Sequence, residues 1–91
     1  MMDRTQQQTS ALILKRLSMG GASADWLARA VVSYYRPAAQ APSLTGFTTC
    51  LDAEAQAAFI QLLLTRNSPN WSDDDLAALA RKCEQFIANS K

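Results

Sequence analysis

The chain has 91 residues, of which 48% are hydrophobic, and its formal net charge is +1 at pH 7. Disordered chains combine low hydrophobicity with high net charge, so this composition excludes that class and predicts a folded protein. The longest apolar runs, at residues 12–14 and 62–64, are too short to cross a membrane, and we expect a cytoplasmic protein. We place a single helical domain over residues 1–91, with residues 1–4 disordered.

The first predicted helix covers about residues 5–19. Apolar residues cluster at positions 12–17, and a pair of glycines begins at Gly20 shortly after them. Glycine is common where helices end because it adopts positive φ without steric strain. The glycine pair therefore predicts the C-terminal end of this helix.

The second predicted helix covers about residues 23–36. Ser23 is a favourable N-cap residue, and Pro37 stops the helix because proline disfavours helical geometry at the preceding residue. The apolar positions recur with the 3.6-residue period of a helix and form one broad stripe. This stripe consists of Trp26, Leu27, Ala30, Val31, Tyr34 and Tyr35.

Residues 37–48 form the longest predicted connection. Two prolines and Gly46 argue against a regular helix through this segment. Leu44 and Phe47 are apolar, so we expect both to dock on the helices and to keep the loop ordered. Long loops without secondary structure are uncommon and often functional, which makes this segment a candidate binding element.

The third predicted helix covers about residues 51–66, with Thr49 or Asp52 as its N-cap. Apolar side chains cover most of its circumference, because Ile60 and Leu64 extend the apolar surface beyond a single stripe. A helix that is apolar on all sides is typical of a buried position. The pattern therefore predicts that this helix lies at the centre of the domain.

The fourth predicted helix covers about residues 73–89. Ser72 and Asp75 have the spacing of a capping box, and the acidic residues at 73–75 suit the helix N-terminus electrostatically. A single apolar stripe follows and includes Cys83. Together the four helices predict an all-α, compact four-helix domain with a long ordered loop at 37–48.

No catalytic site or metal site is predicted. The chain has no histidine, the most common general base and metal ligand in proteins. Cys50 and Cys83 lie among apolar residues and are interpreted as core residues, with the reactivity of Cys50 left open. The acidic run at 73–75 lacks the spacing of a calcium loop. We therefore expect no enzyme activity, no cofactor and no small-molecule substrate.

A DNA-binding alternative rests on the first two predicted helices, which a tight glycine turn joins as in a helix-turn-helix. The second helix would be the recognition helix and would present Arg29 and Arg36. Residues 1–48 carry a net charge of +3, against −2 for residues 49–91. The pI of about 7.8 is nevertheless below the basic values expected of a nucleic-acid-binding domain.

Protein binding is the leading hypothesis because the chain has more apolar and aromatic side chains than four short helices need. Tyrosine and tryptophan are favoured at interfaces, since they combine apolar area with a polar group. The partner would be either a larger protein or a second copy of the chain. The candidate partner-binding residues are Leu12, Arg29, Tyr34, Tyr35, Arg36, Leu44 and Phe47.

In its size, its alanine-rich helices and its lack of catalytic groups, the chain resembles the small helical regulators and inhibitors of phages and plasmids. Antiactivators and anti-CRISPR proteins are of this kind. The resemblance implies a non-enzymatic regulator or inhibitor that occludes or scaffolds a larger partner. It extends over the whole chain but is carried by no specific motif, so it assigns no role to a single residue.

Overall fold

The computed structural model describes residues 5–67, 69 and 71–89, and these residues form five helices and no strand. The helices are α1 (Gln6–Met19), α2 (Gly21–Tyr35), α3 (Thr45–Thr49), α4 (Ala53–Thr65) and α5 (Asp73–Asn89). The all-α prediction is confirmed, because α1, α2, α4 and α5 each begin and end within two residues of a predicted helix. The short helix α3 lies in the segment predicted to be a loop. Residues 1–4, predicted to be disordered, lie outside the described residues.

Side-chain caps fix where α1 and α5 begin. Thr5 Oγ1 accepts a hydrogen bond from the backbone N–H of Gln8, and Gln8 Oε1 accepts one from Thr5 N–H, which completes a capping box. The side-chain amide of Gln6 donates a hydrogen bond from Nε2 to the carbonyl oxygen of Ser72 at 2.9 Å. Its Oε1 accepts one from the backbone N–H of Ser72 at 2.8 Å. Ser72 Oγ accepts from Asp75 N–H at 3.2 Å, as the predicted cap requires. The beginning of α1 is thereby tied to the beginning of α5.

The connection between α1 and α2 consists of glycines with positive φ. Gly20 and Gly21 have φ values of 71° and 86°, which non-glycine residues rarely adopt. Because this turn is so short, α2 begins at Gly21, and Ser23 lies inside the helix with its buried hydroxyl lacking a hydrogen-bond partner. The prediction that Ser23 caps the second helix is therefore wrong.

The central helix is α2. Its buried residues occupy most of its circumference and are Ala24, Trp26, Leu27, Ala28, Ala30, Val31 and Val32. It packs mainly against α5 and α1, whereas α4 packs mainly against α1. The prediction that residues 51–66 form the central helix is wrong, because α4 buries only the side that carries Ala55, Ala58 and Leu62.

Ion pairs join the positive and negative halves of the sequence. Arg16 on α1 contacts Asp52 at 2.7 Å and Glu54 at 3.3 Å, both at the beginning of α4. Arg36 contacts Glu84 on α5 at 3.0 Å. Of the four ion pairs among the described residues, these three connect the two halves. The uneven charge is thus used within the chain, and Arg16 holds the end of α1 beside the beginning of α4.

The segment before α4 is anchored on the side chain of Trp26. Its indole Nε1 donates a hydrogen bond to the carbonyl oxygen of Ser43 at 2.8 Å. Its ring meets Phe47 and Phe59 edge-on, with centroid distances of 5.8 and 5.3 Å. Helix α3 lies directly against the indole, an approach that the missing side chain of Gly46 allows.

The docking prediction for residues 37–48 is confirmed for Phe47 and wrong for Leu44. Phe47 is half-buried against the core, whereas Leu44 is 83% exposed. Leu44 lies at the surface where α3 begins, and the contacts with Trp26 are made by residues on either side of it. The segment is therefore ordered by hydrogen bonds and ring contacts that leave one large apolar side chain in water.

Replacing Gly46 with alanine is expected to destabilise the fold. A Cβ at this position would lie about 2.5 Å from Trp26 Nε1, and the indole is held in place by Ser43 and two phenylalanine rings. We expect the free energy of unfolding in urea to fall by about 1–3 kcal/mol, as for other overpacked sites. Thr48→Ala, at an exposed position of the same helix, is the control and should change stability much less. A Gly46→Ala protein as stable as the wild type would contradict the packing described.

Asp52 is expected to make stability depend on pH in the acid range. A backbone hydrogen bond from Ala55 and the guanidinium of Arg16 hold its pKa below the ordinary value of 3.8. A group with a lowered pKa stabilises the folded state above its unfolded pKa, and this contribution is lost as the pH falls through the folded value. Wild type should therefore be more stable than Asp52→Asn at pH 6 in urea unfolding. Below pH 3.8 the difference in stability between wild type and Asp52→Asn should shrink. In an Arg16→Gln background that difference should also be smaller. Stabilities of the two proteins that change in parallel with pH would contradict the prediction.

Candidate functional site

The seven predicted partner-binding residues are distributed over three helices. Leu12 lies on α1, Leu44 and Phe47 lie at α3, and the remaining four lie on α2 or directly after it. Those four are Arg29, Tyr34, Tyr35 and Arg36. Leu12, Tyr35 and Phe47 pack against the core as half-buried side chains. Of the apolar members of this set, only Leu44 presents most of its side chain to solvent.

The two predicted arginines contact acidic residues of the same chain. Arg29 pairs with Asp25 one helical turn earlier, at 3.1 Å. Arg36 pairs with Glu84 at 3.0 Å and places its guanidinium carbon 5.2 Å from the centre of the Tyr35 ring. Both arginines are exposed, but their charges are partly compensated by neighbouring carboxylates. The positive charge that these positions offer to a partner is correspondingly reduced.

A continuous apolar stripe lies on α4, on the side that points away from the core. We call it the α4 outer face, and it consists of Ala53, Ala57, Ile60 and Leu64. All four residues are exposed, with values of 45% for Ile60 and 58% for Leu64. Spacings of four, three and four residues place them in one row on an α-helix. The face runs along the helix on the side opposite Ala55, Ala58 and Leu62.

The α4 outer face has charged residues only at its ends. Glu54 lies near the beginning of α4, where it contacts Arg16. Arg66 caps the C-terminal end, with its guanidinium carbon 5.4 Å from the centre of the Trp71 ring. Between these two residues α4 carries no ionisable side chain. The face is therefore an apolar strip with a negative end and a positive end.

The sequence contains the signal for this surface. Apolar residues around most of the circumference of residues 51–66 predict a central helix, in which Ile60 and Leu64 would be buried. The structure places Leu62 in the core and leaves Ile60 and Leu64 outside. The pattern identifies a helix that is apolar around most of its circumference. It does not show which of its sides pack against the rest of the same chain.

A shallow groove of about 240 Å³ lies between α1 and α5. It is lined by Gln7, Ser10, Ala11, Leu14, Asp75, Ala78, Leu79 and Lys82. Small-molecule sites are usually larger, about 300–1,000 Å³, and enclose most of the ligand. The groove is open to solvent and carries few converging polar groups, so we assign no ligand to it.

The two cysteines lie in different environments. Cys83 is fully buried on α5, so its predicted place in the core is confirmed, whereas Cys50 is half-buried at the end of α3. Burial, with a smaller contribution from Glu84, raises the pKa of the Cys83 thiol to about 12. Because the thiolate is the reactive form, the burial and raised pKa of Cys83 both disfavour its reaction in the folded protein.

Within residues 5–67, 69 and 71–89, no group of three or more His, Cys, Asp or Glu side chains is arranged to hold a metal ion. None of the helices formed by these residues has the length and hydrophobicity that crossing a bilayer requires.

Comparison with known proteins adds no further constraint. No protein-family model matches the chain, and neither curated proteins nor solved structures show significant similarity to it. The fold places the chain in the class of small, compact, all-helical proteins. Any functional interpretation therefore depends on the surfaces described above.

Cys83 is expected to resist alkylation until the protein unfolds. Its thiol is buried and has a pKa of about 12, so almost no thiolate is present at pH 8. Mass spectrometry after iodoacetamide treatment at pH 8 should show no modification of Cys83 in the folded protein. In guanidinium chloride both cysteines should react. Rapid modification of Cys83 under native conditions would show that this part of the core opens easily.

Proposed function

We propose that the protein is a small non-enzymatic regulator or inhibitor that binds another polypeptide and occludes or scaffolds it. The α4 outer face is proposed to dock against a helix that presents an apolar stripe of its own. The observation that supports this role is the position of α4, which is apolar around most of its circumference and lies at the edge of the fold. We place this activity in the cytoplasm.

The energetics of the α4 outer face favour binding. Single exposed apolar residues are normal on protein surfaces, but four in one row form a continuous patch. Completing the burial of Ile60 and Leu64 would contribute about 1 kcal/mol for each side chain, since each is roughly half exposed. Ala53 and Ala57 add little area but allow a partner helix to approach closely. Docking therefore needs no rearrangement of the core.

The predicted surface around α3 would extend the contact area. Leu44 is the most exposed large apolar residue among those described, and it lies beside the Trp26 and Phe47 cluster. Phe59 of α4 belongs to the same cluster. Phe59 packs inward and is not part of the α4 outer face, so Leu44 and Phe47 would form a separate contact with the partner. Tyr34 and Tyr35, near the other end of α2, are less suited to this role.

DNA binding through α2 receives less support than protein binding. A recognition helix must present one full side to the major groove, whereas α2 is buried around most of its circumference. Arg29 and Arg36, the residues proposed for contact with DNA, each pair with a carboxylate of the chain. Asp25 lies on the same exposed edge and would repel phosphates. The alternative stays a prediction, with no structural observation in its favour.

The binding role can be tested by photo-crosslinking in the native host. The photoreactive residue p-benzoylphenylalanine replaces Ile60 or Leu64 on α4 and, as a control, the exposed Gln85 on α5. We expect protein adducts from both α4 positions and none from the control, because the probe reacts only with groups in direct contact. Mass spectrometry of the adducts distinguishes a second copy from a different protein. The absence of adducts from both α4 positions would overturn the proposed function.

A further inference from the structure

We infer that the α4 outer face pairs with the same face of a second copy, so that two α4 helices pack antiparallel about a two-fold axis. The inference rests on the proposed binding function and names the occupant of that face. Residues spaced by four, three and four positions form the seam that two helices need in order to pack along their length.

The order of small and large residues matches antiparallel pairing. With the two-fold axis level with residues 58–59, Ala57 faces Ile60 of the second copy, and Ala53 faces Leu64 of the second copy. Each large side chain then meets a small one, which allows even packing along the seam. Parallel pairing would place alanine opposite alanine at one end and leucine opposite leucine at the other. That arrangement leaves a gap at one end and crowding at the other.

The charges at the two ends of α4 are complementary in the same register. Among the described residues, Asp52 and Glu54 share the single cation of Arg16, and their side chains remain 58% and 52% exposed. The described side chains at the beginning of α4 therefore carry a net negative charge. Antiparallel pairing places Arg66 of the second copy level with Asp52 and balances that charge. The dipoles of the two α4 helices then point in opposite directions, which is also favourable. Parallel pairing would instead bring like charges together.

The size of the surface sets the strength of the dimer. The four residues span about 16 Å along the helix. The area that this seam can bury is therefore smaller than the roughly 1,600 Å² of a standard interface. We therefore expect a weak, reversible dimer with a dissociation constant of about 0.1–1 mM. Leu63, half-buried on α4 beside the face, would enlarge the contact.

Sedimentation equilibrium of the full chain tests the pairing. Over concentrations from about 10 µM to about 1 mM, the apparent mass should rise from the monomer value of 10.0 kDa towards twice that value. Ile60→Asp should raise the dissociation constant at least about tenfold, because a carboxylate would be buried in the seam. The control, Gln85→Asp, adds the same charge on α5 and should leave dimerisation unchanged. Circular dichroism should show the same helicity for all three proteins.

Cysteine trapping tests the orientation. Ala53→Cys and Leu64→Cys are made separately in a Cys50→Ser background and mixed under mild oxidation. The antiparallel register predicts that the mixed disulfide forms faster than a disulfide between two identical chains. The parallel arrangement predicts rapid self-linkage of the Ala53→Cys protein, and that result would overturn the proposed register.

The results separate this inference from the function on which it rests. A protein that stays monomeric at 1 mM, or a dimer unaffected by Ile60→Asp, would overturn self-pairing. If Ile60 then crosslinks to a different protein in the host, the binding function stands and only the identity of the occupant is wrong. If Ile60 and Leu64 crosslink to nothing and the chain is monomeric, both proposals fail.

Discussion

The packing around α2 is the constraint on which the rest of the fold depends. Small residues at Ala24, Ala28 and Ala30 allow the neighbouring helices to approach α2 closely on several sides. Leu27 and Val31 fill the space between them and are fully buried. Because α5 and α1 take up most of this surface, little of α2 remains for α4. The fourth large helix consequently packs against α1 and occupies an outer position.

This outer position explains why α4 exposes apolar residues. Its inner side carries Ala55, Ala58 and Leu62, and the opposite side is nearly as apolar. The rotation of α4 about its own axis is limited by Arg16, which contacts Asp52 and Glu54, and by the Asp52 cap on Ala55 N–H. These contacts hold one side of the helix towards the core and the other towards solvent. The exposed stripe therefore follows from well-defined contacts.

The sequence predicted the features that depend on local interactions. Helical periodicity and breakers placed the four long helices within two residues, and Asp52 and Ser72 cap as their positions suggested. One error is local: Ser23 is not the N-cap, because glycines with positive φ let α2 begin two residues earlier. The other error concerns an interaction between distant residues. The short helix α3 depends on Trp26, seventeen residues before its anchor at Ser43, and no local pattern contains that contact.

The candidate site was missed for a related reason. Hydrophobic periodicity reports how much of a helix must be covered, and it does not report whether the cover belongs to the same chain. A chain of this size buries a smaller share of its surface than a large domain does, so it has little capacity to enclose two helices completely. Once α2 occupies the centre and packs against α5 and α1, α4 packs through one side only, and its opposite apolar side faces solvent. That exposed side is the surface on which the proposed contact with another polypeptide rests.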